Sequence, residues 1–511
     1  MFALVRRSLV AEAVVKNGPA LMSISNITTI TQDLVKFERP PGPKQWPLLG
    51  CLPSILTNKA FDKERIHLFW NDCVKQYGPI FQLRVPGSPT MNFISNIEDI
   101  EKMYKTTFDN PIRPIADSFK VANQRCPSKF YKEGEYGLLN EQGDNWWRVR
   151  RQVQPHTMKP AVVAQYLPGM DQISKEFVER VKNQRDDNSE VHEDFIKEIM
   201  QWAVENVGLI SYNKMIETTE EKQELIKAAD TILGNIGKLE YGLQLWRYIQ
   251  TPRLKETMQA RDFMRRKIDK SVLQAKESLE EDDLSNKNMN ILEELLKTPE
   301  LSHRDIVMFM LDFNMAGADT TAYTVSFVMY LLSINPEKQA ILHQELDKVL
   351  GDGTGELTPA HLAKLTYTKA VVKETLRVFP VAMGVVRQLN NDEVFSGYKL
   401  PKGSLMFAME YPNCYNEKLF YKPKEFLPER WFRSRPHGPI QNYASFSFSR
   451  GTRSCVGRRV SEQEIYTIIA RLFHQHTLEW KYEKLNPKSH LLLHPDLPLK
   501  FTMKEREKQN V

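Results

Sequence analysis

Phe448-Ser-Arg-Gly451-Thr-Arg453-Ser-Cys455-Val-Gly457 lies close to the C-terminus of a chain of 511 residues. Its chemistry centres on Cys455. A cysteine thiolate is one of the few protein ligands that can hold haem iron and push electron density toward O–O cleavage. The neighbouring residues suit that work. Gly451 and Gly457 let the backbone turn tightly and approach a flat macrocycle. Arg453 is a permanent cation that can meet a haem propionate. Backbone N–H groups of such a loop can bond the sulfur and tune its charge. A lone free cysteine is more often a small buried hydrophobe, so the pattern around Cys455 and the rest of the chain carry the argument.

Outward from that loop, composition sets the bounds. The length allows several domains at ~150 residues each. No linker, low-complexity tract or internal repeat divides the chain, so one large, mainly helical body is the simpler reading. Apolar residues make up 41% of the sequence, enough for an extensive core. The five cysteines, Cys51, Cys73, Cys126, Cys414 and Cys455, are scattered and form no CxxC pair. That excludes a zinc framework and fits a reducing compartment without disulfides. A net charge of +6 does not call for nucleic acid.

The N-terminus reads as an address. Residues 1–32 hold Arg6, Arg7 and Lys16 against a single acid, Glu12, among many Ser, Thr and Ala. This composition predicts a mitochondrial presequence, and residues 1–37 are assigned to it and a disordered lead. No run approaches the ~20 apolar residues that span a bilayer. Pro40-Pro41-Gly42-Pro43, Pro47 and Gly50 then impose an extended, turning segment.

Three further stretches carry chemistry. Ser302 to Ile334 predicts one long helix, with Ser302 and Asp305 as a capping box and Pro336 as its stop. It is apolar nearly all round and therefore buried. Within it, Ala316-Gly-Ala-Asp319-Thr320-Thr321 puts a costly acid beside a threonine able to bond back to the carbonyl of Ala316. Gly317 removes side-chain bulk, so a small ligand can approach the backbone. Lys373-Glu374-Thr-Leu-Arg377 precedes Pro380, with Glu374 and Arg377 on one helix face. Gly143-Asp-Asn-Trp146-Trp147-Arg148-Val-Arg150-Arg151 offers an indole N–H and a guanidinium on one face, both donors for a carboxylate. Trp146/Arg150 and Trp147/Arg151 both fit, and distance from Gly143 favours the first. Lys369 and Lys373, with Arg458-Arg459, form basic clusters. Leu243-Gln-Leu245-Trp246-Arg247-Tyr248 has the amphipathic mixture of a membrane interface.

The cysteine loop resembles the proximal haem loop of the haem-thiolate monooxygenases, the cytochrome P450 family. Phe448, Gly451, Arg453, Cys455 and Gly457 stand at the family's spacing. Ser447 and Ser449 replace two glycines often found around it and read as loop variation. The resemblance runs over residues 38–504 and makes residues 38–511 one catalytic domain. It implies a mainly α fold with small β-sheets, with haem b (iron protoporphyrin IX) between the long distal helix and the cysteine loop. Cys455 is then the axial ligand. Ala316 and Gly317 form the oxygen groove, Thr320 bonds the bound dioxygen and Asp319 helps deliver protons. Trp146, Arg150, Arg387 and Arg453 meet propionates. Glu374, Arg377 and Arg430 form a buried ion triad that supports the cysteine loop.

The resemblance extends to the mitochondrial members. These take NADPH electrons through ferredoxin reductase and an acidic ferredoxin, which would dock on Lys369, Lys373, Arg458 and Arg459. The expected reaction inserts one atom of O2 into a C–H bond of a lipophilic, steroid-like molecule. The setting is the matrix side of the inner membrane, with peripheral membrane contact. Substrate contacts are expected from residues 113–135, 305–316, Val381–Val386 and Pro495–Pro498. The rival readings are a xenobiotic-oxidising monooxygenase, a haem-thiolate isomerase or dehydratase, and a non-enzymatic haem sensor.

Overall fold

The computed structural model describes residues 39–134, 137–192, 195–212, 219–240, 244–281, 289–489 and 491–506. The expected presequence lies outside these residues. Apolar residues recur at three- and four-residue intervals through most of the chain, so helices dominate. Six of them position the site and are labelled in chain order: α1 (Gly143–Met158), α2 (Phe195–Tyr212), α3 (Thr219–Glu240), α4 (His303–Ser333), α5 (Thr366–Val378) and α6 (Arg458–Gln475).

The long helix α4 has 31 residues, about 47 Å at ~1.5 Å per residue. Ser302 and Ile334 fall just outside it as its caps. Ser302 Oγ accepts the Asp305 N–H at 3.0 Å, and Asp305 Oδ2 accepts the Ser302 N–H at 2.9 Å. Asp305 also takes both terminal nitrogens of Arg148 at 2.8 Å, which ties the start of α4 to α1. Nearly every side chain of α4 is buried, against α2, α5 and α6 among others. The sequence reading gave Gly317 to a small ligand. The structure gives it a second reason: a Cβ there would lie 2.9 Å from Val207 Cγ2 of α2.

The main sheet has four strands, β1 (Ile80–Leu83), β2 (Met91–Ile94), β3 (Gly384–Gln388) and β4 (Leu405–Met409). Their order is β1-β2-β4-β3, with only the β2/β4 pair parallel. Register stacks aromatic rings across it: Phe93 lies opposite both Phe81 and Phe407, at centroid distances of 4.9 and 5.1 Å. The proline-rich lead follows the sheet edge, where Gln82 N–H donates to Pro41 O at 2.8 Å. A Cβ on Gly42 would stand 2.3 Å from Gln82 O, so this close approach requires glycine. No helix among the described residues is long and apolar enough to cross a membrane.

The expected interfacial segment is only partly described, from Gln244 onward, and it divides in two. Trp246 is a core residue whose indole N–H donates to Leu239 O at 2.8 Å, with Arg247 over its ring. Tryptophan brings too much apolar area to stay outside when a backbone acceptor is within reach inside. Leu245, Tyr248 and Ile249 are exposed.

Candidate active site

The cysteine loop closes on itself. Cys455 N–H donates to Phe448 O at 2.9 Å, and Ser454 N–H to Gly451 O at 3.1 Å. Gly451 sits at φ 75°, in the left-handed region that favours glycine, so its value lies in the turn. Gly457 has φ −87° and starts α6, where its carbonyl accepts the Ser461 N–H at 2.9 Å. Cys455, alone among the five cysteines, is exposed, and it lines a cavity of about 580 Å³ set within the protein. Burial pushes its pKa up; the Gly457 N–H and the guanidiniums of Arg150, Arg113 and Arg458 pull it down.

Across the cavity stands α4. Ala316, Gly317, Thr320 and Thr321 form the wall there. Thr320 Oγ1 donates to Ala316 O at 2.7 Å. Asp319 does not lie on the wall. It is buried behind it, and burial, then Asp230 of α3, pushes its carboxyl up to about 7. Asp312 is on the wall: its Oδ2 accepts the Leu139 N–H at 2.8 Å, and burial raises it to about 6. The other walls include Phe309, Phe313, Val381 to Val386 and Arg113 to Asp117. Pro495–Pro498 takes no part. Leu491 and Leu492, just before it, line the cavity, and among the described residues none of the expected contacts from 118–134 is on its wall; residue 135 lies outside the described residues. Leu493 pairs with Ser489, and its N–H donates to Val381 O at 2.9 Å, which holds this segment against the cavity wall at Val381.

Guanidiniums gather at one end. Arg113, Arg150 and Arg453 line the cavity, and Arg387 is buried behind them. Trp146 is 3% exposed and lines it, whereas Trp147 is 46% exposed. Desolvation lowers these arginines, Arg113 and Arg150 to about 10 and Arg453 to about 7, and neighbouring guanidiniums add to it at Arg113 and Arg453. Four guanidiniums face two carboxylates, Glu141 and Asp312, so this buried wall is positive. The Nε atoms of Arg113 and Arg453 are buried without a partner. Such a wall asks its ligand for anions. A porphyrin with two propionates would fit these donors, and the thiol opposite the α4 groove has the chemistry to hold its iron.

Arg453 itself is largely spent on its own surroundings. It donates to Pro111 O at 2.9 Å, to Gln142 Oε1 at 2.6 Å and to Glu141 O at 2.5 Å. Arg113 had no sequence signal; Pro111-Ile-Arg-Pro carries no chemical spacing, and Gln142 brings it in by accepting the Arg113 N–H at 2.8 Å.

Behind the loop, Glu374 accepts five donors. Arg377 Nε and Nη2 stand at 3.0 and 2.7 Å, Arg430 Nε at 2.9 Å, Trp431 Nε1 at 2.8 Å and Leu427 N–H at 3.0 Å. Arg377 also donates to Cys414 O and Pro423 O at 2.6 and 2.8 Å. These three charged residues are at most 2% exposed. Trp431 joins them unforeseen. On the outer face, Lys373 is exposed, while Lys369 donates to Ala363 O at 2.9 Å. Arg458 and Arg459 both reach Glu462, at 2.9 and 3.6 Å, so the basic cluster is partly neutralised.

The family model for cytochrome P450 matches residues 40–503. Among similar proteins, "Probable cytochrome P450 12a5, mitochondrial" of Drosophila melanogaster is 32% identical over 84% of this chain and 84% of its own length. "Cytochrome P450 CYP12A2" of Musca domestica is likewise 32% identical, with the same coverage. "Cytochrome P450 302a1, mitochondrial" of Drosophila melanogaster is 29% identical over 92% of this chain and 96% of its own.

Proposed function

Because this chain belongs to the cytochrome P450 family and is a monooxygenase of it, we propose that it works in mitochondria on a lipophilic, steroid-like substrate. NADPH electrons arrive through ferredoxin reductase and ferredoxin. One observation carries the reading: Cys455, the Ala316-Gly317 groove, Thr320 and the buried guanidiniums share the walls of one cavity.

Haem b, when bound, would supply the iron that activates O2, and the Cys455 thiolate is the residue that would hold it. Arg113, Arg150, Arg387 and Arg453 take its carboxylates, with Trp146 beside them. Thr320 then holds a hydroxyl proton at the oxygen-binding face of the cavity. In the described structure that proton rests on Ala316 O. Asp319, raised by burial to about 7, is placed one residue behind it as a proton carrier near neutral pH. Glu374, Arg377 and Arg430 support the loop from behind. The apolar walls formed by Phe309, Phe313 and Val381 exclude water and accept an apolar skeleton.

The mitochondrial setting is supported by the names of the relatives and by the basic, acid-poor residues 1–32. The matrix side of the inner membrane follows from the choice of ferredoxin as donor. Ferredoxin docks on Lys369, Lys373, Arg458 and Arg459. Membrane contact is assigned to two exposed apolar groups: Leu48 and Leu49 of the lead, and Leu245, Tyr248 and Ile249. The segments that carry them are joined through residues 84–87: Cys51 N–H donates to Arg84 O at 2.8 Å, and Gly87 lies against Gln244.

The test combines the purified protein with NADPH, ferredoxin reductase, ferredoxin and a sterol panel. A hydroxylated sterol formed in step with NADPH consumption is the expected result. Turnover without NADPH points instead to an isomerase or dehydratase, gas binding without turnover to a sensor, and oxidation of foreign compounds alone to the xenobiotic reading.

A further inference from the structure

Ser447 and Ser449 are more than loop variation. Glu410 follows β4 and sends its carboxylate into the start of the cysteine loop. One oxygen, Oε1, accepts three donors: Phe446 N–H at 2.7 Å, Ser447 Oγ at 2.9 Å and Ser445 Oγ at 3.0 Å. Ser447 Oγ also approaches Leu376 O of α5 at 3.4 Å. Ser449, held at φ 57°, contacts Tyr104 Oη at 3.1 Å and Arg387 Nη2 at 3.5 Å.

Glu410 is 1% exposed, and no ion pair holds it among the described residues. A carboxylate buried without a paired cation is costly unless donors surround it. Burial raises its pKa to about 7, against the pull of those three donors and of Arg450. The segment it grips leads straight to the site. Phe446 O accepts the Ser449 N–H at 2.5 Å, and Phe448 O accepts the Cys455 N–H at 2.9 Å. A shift of residues 445–449 therefore moves the hydrogen bond that aims Cys455.

We propose that Glu410 is a positioning residue for Cys455: its three-donor clamp fixes residues 445–449 and thereby the direction in which the thiol enters the cavity. Serine hydroxyls here supply by hydrogen bonding what glycines supply by tight turning. The proposal rests on the reading of Cys455 as the axial ligand.

The test uses the full chain, haem-free and haem-loaded, with Glu410→Ala and Glu410→Gln. In the haem-free protein, iodoacetamide labelling of Cys455 is followed by peptide mapping; the other four cysteines are buried. Glu410→Ala is expected to label about tenfold faster, the factor that one hydrogen bond to a charged acceptor carries. In the haem-loaded protein its reduced carbon monoxide complex is expected to divide between thiolate and thiol forms. Glu410→Gln keeps an acceptor carbonyl and is expected to restore both readouts. A Glu410→Ala protein that melts lower, yet labels at the wild-type rate with a purely thiolate complex, overturns the proposal. Should that variant not fold, Ser447→Ala removes one donor and must still speed labelling; an unchanged rate overturns the proposal as well. A wild-type protein without the thiolate spectrum would defeat the axial assignment of Cys455, while the labelling result would still decide the clamp.

Discussion

The two sides of the cavity are built from different interactions. On the cysteine side, Glu374 gathers five donors, Glu410 gathers three, and Arg377 reaches out to three backbone carbonyls. Facing them, α4 and its neighbours offer Phe309, Phe313, Val381 and glycine. Charge-assisted hydrogen bonds are directional and fix atoms in place. Dispersion is non-directional and accepts many shapes. The comparison teaches a division of labour: the loop that carries Cys455 is braced, and the apolar wall opposite is left adaptable.

The hardest blow to the braced side is at its tip. Cys455→Ala is expected to abolish the thiolate-type spectrum of the reduced carbon monoxide complex, together with oxygenation. If that spectrum survives, the iron ligand lies elsewhere and the two sides of the cavity have been assigned in reverse. Glu374→Ala comes next. It strands two guanidiniums in the interior, and loss of one partner from a buried ionic group costs about 3–5 kcal/mol. Urea unfolding of the haem-loaded protein checks it, with the midpoint falling and the slope retained. A loss below about 1 kcal/mol, the range of exposed pairs, would mean that the brace is no stiffer than a surface contact.

The adaptable side has one rigid point. Gly317→Ala puts a methyl 2.9 Å from Val207 Cγ2, and overpacking of this kind costs about 1–3 kcal/mol. Val207→Ala in the same chain is expected to recover part of that loss, a coupling that a double-mutant cycle measures. Gly317→Ala with undiminished stability but weakened ligand binding would place the methyl in the cavity and return Gly317 to the oxygen groove alone.

What could be read from the sequence follows the same division. The cysteine loop was legible because one chemical task demands fixed residue types within ten positions. The long helix was legible because Ser302, Asp305 and Pro336 mark its ends and its burial makes it apolar. The Trp146/Arg150 register was read from local spacing; in the structure Trp146 is buried and Trp147 exposed. Contacts across the fold were illegible. Arg113 and Arg453 share Gln142 as an acceptor, and Glu410 meets its serines some 35 positions later. Trp246 resembled an interfacial residue because composition cannot tell which side of a short helical turn faces inward. Asp319 was read as part of the proton path from its neighbours in sequence, which do not reveal that it is buried behind the wall or that Asp230 of α3 adds to the rise of its pKa.

The smallest effect belongs to the outer face of the braced side. Lys373→Glu leaves the cavity untouched, so the haem spectrum and ligand affinity are expected to stay at wild-type values. Lys373 feels Glu462, which already holds Arg458 and Arg459. The patch is thus half neutral, and reversing one charge on it removes steering rather than a contact. An exposed charge acts mainly on the association rate. Reduction by ferredoxin is therefore expected to slow about three- to tenfold at low salt, within the range that electrostatic steering commands. At ionic strengths near 0.15 M, where screening acts over about 8 Å, the gap should narrow. Lys369→Glu should do less, because its ammonium is engaged by Ala363 O. Stopped-flow reduction at several salt concentrations separates the two. A Lys373→Glu rate equal to wild type at every salt concentration would place the electron donor on another face, leaving the brace a purely internal device.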